Sequence, residues 1–436
     1  MGAASRITVA ATGAATTILV ARLLGPEGAG GFALATTIVY VLTVLTSLGM
    51  EHGIAYYVSA GSWAPGQAVA ASQRLALATG SAGALLGFGA RLALPSAFGG
   101  LTVAECALVA GALPFALAWF YASFVALADD RYEGYVLPPA AQSTTLLLLG
   151  VALTIPFGLT GAVVALTASH ALVAAATLVW ARRLRRRGDH ASEPGQVRRA
   201  LGFGVKGYAA NALQVLNYRA DFFVLSAVAS AAALGQYAVA VAVTTVMWLL
   251  PQALGDVLFP RVAALSASGH SDAVEHRAFV EAKSLRHTAL IVAASTAVLA
   301  LALVFLVVPI YGPEFRDSIA LGLIRLPGVA LLGLSATLSA TIVGRGRPQY
   351  SLYTTLVATP VTMVLYAALI PSLEATGAAL ASSLSFGLSF VLAAYFYRRT
   401  TGAPVLRTLV PTASELADYR ALGPKIREWA AGLRAR

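Results

Sequence analysis

The sequence predicts an all-α polytopic membrane protein with about twelve transmembrane helices, and three observations point to that class. Of the 436 residues, 58% are hydrophobic and only 11% are charged, whereas a soluble domain has roughly 25% charged residues. Apolar runs of about 20 residues, each long enough to cross ~30 Å of hydrocarbon as a helix, recur along the chain. Lys and Arg residues cluster between alternate runs. A soluble globular domain is therefore excluded.

The predicted spans follow one another with mostly short connections. They cover residues 6–24, 31–59, 68–95, 101–127, 135–156, 160–181, 203–228, 233–258, 285–311, 320–343, 348–370 and 375–397. Only 182–202 and 259–284 are predicted to be longer connections. The first apolar run leads straight into the second without a cleavage context, so no cleaved signal peptide is predicted. The single cysteine, Cys106, excludes an intramolecular disulfide.

The distribution of positive charge predicts that both termini face the cytoplasm. With the N-terminus inside, 25 of the 30 Lys and Arg residues fall on the cytoplasmic side, 4 fall on the outer side, and Arg219 lies within a span. Because Lys and Arg are enriched in cytoplasmic loops, this asymmetry indicates a multi-pass protein of the cell membrane. The basic run 182–187 is predicted to contact anionic lipid head groups, and nucleic acid is not a predicted partner.

The two halves of the chain resemble each other. Residues 30–51 align with 235–256, so that Gly30 meets Gly235, and residues 160–183 align with 376–399 at a similar offset. Because each half has six spans, an even number, the halves form parallel pseudo-repeats around a predicted central cavity. The predicted organisation is a lobe at 1–181, a basic linker at 182–202, a second lobe at 203–398 and a basic tail at 399–436.

The tail has a pattern typical of an amphipathic helix on the membrane surface. Thr412 and Glu415 have the spacing of a capping box, and basic residues alternate with apolar ones after them. A frayed tail is the alternative.

Polar residues are concentrated in the seventh span, which contains NALQVLNYRADFF at 211–223. On an ideal helix four of them lie within about 80° of one another: Asn211, Gln214, Tyr218 and Asp221. Asn217 lies at the edge of that face, and Arg219 points about 160° away from Asp221, so no pairing between those two is assumed. The stripe suits the wall of a water-filled cavity. Hydrogen bonding between helices is the alternative.

Three carboxylates and one arginine are candidates for ion coupling or gating. Glu51 and Asp256 occupy matched positions in the two halves, and Asp221 belongs to the polar stripe. Such groups are costly inside a membrane, so they could flank a cavity or take up a proton or Na⁺. The alternative for Glu51 and Asp256 is a solvated position near the inner interface. Arg131, in the DDRYE turn at 129–133, could gate the inner mouth or simply lie in a solvated turn.

No nucleotide-binding loop and no catalytic motif such as HExxH or GxSxG occurs in the sequence. The sequence therefore predicts neither an enzyme nor a bound cofactor.

The segment ARLLGPEGAGGFALATTIVYVLTVLTSLGMEHGIAYYVS at 21–59 resembles the start of the polysaccharide-biosynthesis flippases of the multidrug/oligosaccharidyl-lipid/polysaccharide (MOP) superfamily. The matching residues are Ala21, Arg22, Leu24, Gly25, Pro26, Glu27, Gly31, Phe32, Leu48 and Gly49. The resemblance continues at Asp221, Leu234, Gly235, Tyr237 and Pro260. RLLGPEGAGG is then an outer hairpin between spans one and two, in which Pro26 ends the first helix.

The resemblance implies a flippase that moves a polyprenyl-pyrophosphate-linked oligosaccharide from the cytoplasmic to the outer leaflet by alternating access. Arg22 would face the central cavity and, with Arg219, would meet the pyrophosphate, unless Arg22 extends to the outer head groups. The remaining polar residues of span seven would bind sugar hydroxyls: Asn211, Gln214, Asn217 and Tyr218. A glycan polymerase or glycosyltransferases are the implied protein partners.

Three alternatives remain open from the sequence. A drug/cation antiporter of the same superfamily would favour an acidic cavity without the two arginines. The lipid II flippase branch generally has two additional spans. A non-transporting subunit of a polysaccharide assembly complex belongs to a different functional class.

Overall fold

The computed structural model describes residues 2–185, 195–267, 271–412 and 415, and within these ranges the chain contains no β-strand. Thirteen α-helices follow one another in the described residues. They are α1 (Gly2–Ser47), α2 (Met50–Ser59), α3 (Pro65–Ala93), α4 (Val103–Gly111), α5 (Leu113–Ala128), α6 (Tyr132–Arg185), α7 (Gln196–Val228), α8 (Ala231–Thr245), α9 (Leu249–Ala267), α10 (Ser271–Tyr311), α11 (Asp317–Gly344), α12 (Pro348–Thr401) and α13 (Val405–Leu409). The predicted all-α class is confirmed.

Three of the helices each contain two predicted spans separated by a sharp break. The break lies at Gly25 in α1 (φ 65°), at Gly158 in α6 (φ 58°) and at Glu374 in α12 (φ 47°). In α6 the chain folds back on itself, because Gln142 Nε2 donates to Ser169 Oγ across the two halves at 3.1 Å. Each break coincides with a predicted connection.

The described helices together form twelve spans, as the sequence predicts. Helices α4 and α5 make one span and α8 and α9 make another, because only a short junction separates the members of each pair. Among the described residues, eight helical segments are long and apolar enough to cross a membrane, and three of them lie in α1, α6 and α12. The polar helix α7 does not meet the hydropathy criterion that those eight meet. The protein is a multi-pass membrane protein.

Two predicted boundaries are wrong. The second span is not one helix, because Leu48 (φ 52°) and Gly49 (φ 72°) are both left-handed and separate α1 from α2. The predicted connection 259–284 is helical on both sides of 268–270, since α9 and α10 extend beyond their apolar parts. Polar composition marks where a helix leaves the membrane and not where the helix ends. The predicted linker 182–202 likewise begins inside α6 and ends inside α7.

The chain forms two compact units. The first comprises Met1–Ala242, Phe305–Leu321 and Thr362–Ala381. Its core includes a cluster around Met50, Ile54, Trp63, Leu117 and Tyr121. The two predicted lobes and their linker stay a prediction.

The second unit comprises Val243–Val304, Gly322–Val361 and Ser382–Arg436. Its core includes Leu285, Leu338, Ile342 and Tyr397. A buried ion pair lies beside this cluster, where Arg345 holds both oxygens of Glu281 at 2.8 and 2.5 Å.

The start of the tail has the contact that the capping-box spacing predicts. The Thr412 amide donates to Glu415 Oε2 at 2.7 Å, and Arg286 of α10 contacts Glu415 Oε1 at 3.1 Å. The predicted amphipathic helix beyond residue 415 lies outside the described residues.

Candidate substrate site on helix α7

The polar face of α7 is partly open at its centre. Gln214 is exposed, and its side-chain amide donates to the Tyr218 hydroxyl at 3.0 Å, one helical turn away. Asn211 is half-buried. Asn217 is only 3% exposed, and its backbone carbonyl accepts a hydrogen bond from Tyr366 at 3.4 Å. The stripe therefore divides into an accessible part at Gln214 and Tyr218 and a buried part at Asn217.

Arg219 lies between aromatic rings. Its guanidinium carbon is 5.7 Å from the ring centre of Tyr40 on α1 and 5.8 Å from that of Phe222. These distances are typical of a cation–π contact. Within the described part of the chain, Arg219 has no hydrogen-bond or salt-bridge partner, and its side chain is half-buried. The rings hold the guanidinium in place and leave its five N–H donors available to an anion.

Asp221 is buried and accepts a hydrogen bond at each of its oxygens. It is 1% exposed, its Oδ2 accepts from the Tyr237 hydroxyl of α8 at 2.5 Å, and its Oδ1 accepts from the Phe222 amide at 2.9 Å. The structure thus places Asp221 at the contact between α7 and α8. Its proposed part in ion coupling stays a prediction.

Arg22 contacts the end of another helix. Its Nε donates to the Ile310 carbonyl at 2.6 Å, and its Nη2 donates to the Pro309 carbonyl. These carbonyls belong to the last turn of α10, where no further helical turn follows to bond them. A cation at a helix C-terminus is also favoured by the helix dipole. In the structure, Arg22 and Arg219 therefore contact different groups.

Glu51 is buried at the start of α2 with one oxygen unpaired. It is 3% exposed, its Oε1 lies 3.4 Å from Ser47 Oγ and 3.9 Å from His52 Nε2, and its Oε2 has no hydrogen-bond partner. The side chain of Asp256, its predicted counterpart, lies outside the described residues. Whether the two carboxylates form a matched pair stays a prediction.

Arg131 lies in the turn between α5 and α6. Its Nε is 2.7 Å from Asp129 Oδ2, and the following helix begins at Tyr132. The turn borders a cavity of about 780 Å³ that is also lined by Leu137, Trp180 and neighbouring residues of α5 and α6. A gating role for Arg131 stays a prediction.

Sequence reasoning missed Tyr40 and a buried cluster around His170. Tyr40 is an aromatic residue within an otherwise aliphatic and Thr-containing run, which was its only signal. The Trp119 indole donates to His170 Nδ1 at 3.1 Å, and Gln142 lies 3.5 Å from His170 Nε2. The signal for this cluster was the presence of a single histidine and a single glutamine in two apolar spans. The partners could not be paired without the fold.

Comparisons with known proteins agree with this architecture. Residues 135–320 match the model of a family described as polysaccharide biosynthesis proteins. No curated protein matches the chain in sequence.

Several solved structures share the fold along nearly the whole chain. An inward-facing multidrug resistance MATE family transporter of the MOP superfamily aligns with a TM-score of 0.70 and 16% identity, over 92% of this chain and 96% of that one. The lipid II flippase MurJ, in an inward closed conformation, aligns with a TM-score of 0.71 and 12% identity, over 93% and 90%. A MOP superfamily transporter from Pyrococcus furiosus aligns with a TM-score of 0.59 and 14% identity, over 92% and 93%.

Residues 135–320 thus resemble the polysaccharide biosynthesis family, and the chain has the fold of these MOP superfamily transporters.

Proposed function

We propose that this protein flips a polyprenyl-pyrophosphate-linked oligosaccharide from the cytoplasmic to the outer leaflet of the cell membrane. The observation that carries the proposal is Arg219, a cation on a membrane-spanning helix with no acidic partner among the described residues. An uncompensated positive charge is costly within a membrane, so its retention there indicates a function. A diphosphate supplies the negative charge and the paired acceptor oxygens that a guanidinium binds best.

The neighbours of Arg219 suit the two ends of such a head group. Tyr40 is 49% exposed and presents a ring face on which a sugar can stack. Gln214 and Tyr218 form an accessible hydrogen-bonded pair on the same helix and can exchange their mutual bond for bonds to sugar hydroxyls. Asn211 extends this polar surface. Asn217 is buried, so it contributes only as part of the helix that carries the other polar residues. In this proposal Arg22 meets the pyrophosphate only after it leaves the α10 carbonyls.

The same proposal includes the orientation and the partners of the chain. Both termini face the cytoplasm, because that orientation puts most of the Lys and Arg residues on the inner side. The basic segment around 182–202 contacts anionic lipid head groups. The substrate is made by glycosyltransferases on the inner face and is used by a glycan polymerase outside.

A second candidate function is export of organic cations, and the fold is equally compatible with it. The multidrug transporter and the lipid II flippase align with nearly equal TM-scores of 0.70 and 0.71. The two functions need opposite charges at the binding site, because an organic cation requires a carboxylate or aromatic surface without a competing arginine. Arg219 beside Tyr40 therefore supports an anionic substrate.

Binding of a defined ligand to the purified protein tests the proposal. We expect native mass spectrometry to detect a complex with a polyprenyl-pyrophosphate oligosaccharide. Arg219→Ala should weaken that complex about 10- to 150-fold, since hydrogen bonds to a charged group contribute roughly 1.5–3 kcal/mol. Arg219→Lys keeps the charge but loses the paired hydrogen-bond geometry, so its affinity should lie between those of the wild type and Arg219→Ala. Arg74→Ala, which changes an exposed arginine on α3, is the matched control and should bind like the wild type.

Three results would overturn the proposal. Binding of the lipid-linked sugar that is unchanged in Arg219→Ala would remove the pyrophosphate site. Binding of organic cations without binding of the lipid-linked sugar would establish the antiporter. Absence of binding to either ligand, together with loss of surface glycan on deletion of the chain, would favour a non-transporting assembly subunit.

A further inference from the structure

The cavity of about 780 Å³ beside the turn between α5 and α6 is bounded by small side chains. It lies between the end of α5 and the two halves of α6. Ala122, Ala141 and Ala176 each present only a methyl group to it, and Gly134 presents none. Larger side chains at these positions would fill the space. The volume falls within the roughly 300–1,000 Å³ that is typical of sites for small molecules.

The cavity opens on an apolar surface of α6. Ala141 and Ala176 line the cavity and are exposed, and Leu137 beside them is 61% exposed. Farther along the first half of α6, the exposed large side chains include Leu148 and Ile155. In a multi-pass membrane protein, an extended exposed surface of this composition faces lipid. The opening therefore gives access to the acyl chains of the membrane.

The other end of the cavity lies at the level of the lipid head groups. Tyr132 and Trp180 flank this end, and Tyr and Trp are enriched where a membrane meets water. After Glu133 the sequence has no Asp, Glu, Lys or Arg before Arg182. The turn thus marks the point at which α6 enters the hydrocarbon. Because this turn is on the predicted cytoplasmic side, the adjoining lipids belong to the inner leaflet.

The mouth of the cavity carries one cation and two acids that have unused bonding capacity. Arg131 uses its Nε for Asp129 at 2.7 Å, and its two terminal nitrogens have no partner in the described part of the chain. Asp130 and Glu133 are exposed, and neither carboxylate has a hydrogen bond or an ion pair among the described residues. With three acids and one arginine, the segment 129–133 has a net charge of −2.

These charges select one kind of head group. A phosphate can accept hydrogen bonds from the free N–H groups of Arg131. The carboxylates of Asp130 and Glu133 require a cation, and a primary ammonium supplies a positive charge together with three N–H donors. An anionic head group would meet two uncompensated carboxylates and be repelled. A quaternary ammonium has the charge but no N–H donor.

We propose that this cavity binds a phospholipid of the inner leaflet whose head group carries a primary ammonium, as in phosphatidylethanolamine. An acyl chain occupies the cavity, the phosphate contacts Arg131, and the ammonium lies between Asp130 and Glu133. The site does not involve Arg219 or Tyr40, so it is independent of the substrate that the protein transports. A lipid held there bridges α5 and both halves of α6 and stabilises the folded protein.

Native mass spectrometry of the full-length, delipidated protein tests the choice of head group. Three phospholipids with identical acyl chains are compared, and the wild type should retain phosphatidylethanolamine in preference to phosphatidylcholine and phosphatidylglycerol. Glu133→Gln should lower the preference for ethanolamine over choline about 2- to 5-fold, as for an exposed charge pair. Arg131→Gln should weaken retention of all three, because each has a phosphate. Glu275→Gln, at an exposed acid of α10, is the matched control and should behave like the wild type.

A cavity-filling variant tests where the lipid binds. Ala176→Phe places a ring in the cavity and should lower retention of all three lipids. Ala152→Phe, at an exposed position of α6 that does not line the cavity, is the control. Phosphatidylethanolamine should raise the melting temperature of the wild type and of Ala152→Phe but not that of Ala176→Phe. Since Ala176 and Glu133 are both exposed, neither substitution disturbs a packed core.

Three outcomes would overturn this proposal. Equal retention of the three lipids by the wild type would remove the ammonium site. Tighter retention of phosphatidylglycerol would show that the basic run at 182–187, and not the two acids, determines the charge at the mouth. Equal retention of phosphatidylethanolamine by Ala176→Phe and Ala152→Phe would place the bound lipid outside the cavity.

Discussion

Three of the arginines within the spans, Arg22, Arg219 and Arg325, have different surroundings and therefore different possible roles. Arg22 donates to the terminal carbonyls of α10, and Arg219 lies between two aromatic rings. Arg325 is buried in the second unit, near the Thr244 hydroxyl at 3.3 Å and 5.3 Å from the ring centre of Phe386. All three appear alike in the sequence, as single cations in apolar surroundings. Arg219 alone among them combines partial exposure with aromatic support, which is why it carries the substrate proposal.

The ion pair between Arg345 and Glu281 should be essential for the stability of the second unit. Glu281 is buried, so Glu281→Ala would leave the Arg345 guanidinium without its counter-charge and should cost about 3–5 kcal/mol. The partly exposed pair between Arg131 and Asp129 is the control, and Asp129→Ala should cost at most about 1 kcal/mol. Thermal melting of the purified variants checks both values. Equal losses of stability in Glu281→Ala and Asp129→Ala would show that burial does not determine the cost of breaking an ion pair.

Helix periodicity predicted which residues of α7 share a face but not what each of them meets. Gln214 and Tyr218 are four positions apart, and their hydrogen bond follows from that spacing. The partner of Asp221 is Tyr237 on the next helix, and the partners of Arg22 are carbonyls almost 290 positions away. Such pairs depend on how whole helices pack, and a local sequence pattern carries no information about that packing.

At the scale of helices, the crossing of α1 and α8 brings two predicted repeat partners into contact. A Cβ on Gly30 would lie 2.1 Å from the Ala231 carbonyl oxygen, and a Cβ on Gly235 would lie 1.9 Å from the Pro26 carbonyl oxygen. Small residues allow two membrane helices to approach with their backbones in contact. The alignment of Gly30 with Gly235 was available from the sequence, whereas their contact was not. The relation between the two halves stays a prediction.

A methyl group at that crossing should separate the two helices. Gly30→Ala should lower stability by about 1–3 kcal/mol, because backbone atoms at this distance cannot move aside independently. Gly13→Ala, at a position of α1 with nothing within 4 Å, should be neutral or stabilising by up to about 1 kcal/mol. Melting temperatures of the two variants test the contrast. A Gly30→Ala variant as stable as Gly13→Ala would show that the two backbones are not in contact there.

The interruption of the second span shows why helix boundaries were harder to predict than helices. Hydropathy predicted one continuous span over 31–59, and Leu48 has no intrinsic preference for a left-handed conformation. The break is accompanied by the contact of Gly49 with α7 and by the hydrogen bonds of Tyr121 and Tyr208 to nearby carbonyls. These partners come from distant parts of the chain, so the apolar pattern alone could not reveal the break.

At the scale of the whole molecule, composition alone was enough to predict the class of fold. A chain with 58% hydrophobic residues and twelve apolar segments has few alternatives to a helical membrane protein. Function needed more, because a multidrug resistance transporter and a lipid II flippase share this fold.

The attachment of the tail to the second unit should depend on pH. Hydrogen bonds from Thr412, together with the Arg286 guanidinium, lower the pKa of Glu415 from 4.5 to about 2. A carboxyl group with a lowered pKa stabilises the folded form above its ordinary pKa, and this contribution disappears as the pH falls from about 4.5 towards 2. Glu415→Ala should therefore melt below the wild type near neutral pH and approach it in acid. A difference in melting temperature that stays constant over this range would contradict the assignment.

The contact between Gly30 and Gly235 has a mechanical consequence for α1. From Gly30 to Ser47 the helix is about 26 Å long. No side chain separates the helices at the glycine crossing. A rotation of about 10° there would displace Ser47 by roughly 4–5 Å, nearly the rise of one helical turn. That far end of α1 adjoins the break at Leu48 and Gly49, so a small rotation at one glycine pair would displace the start of α2.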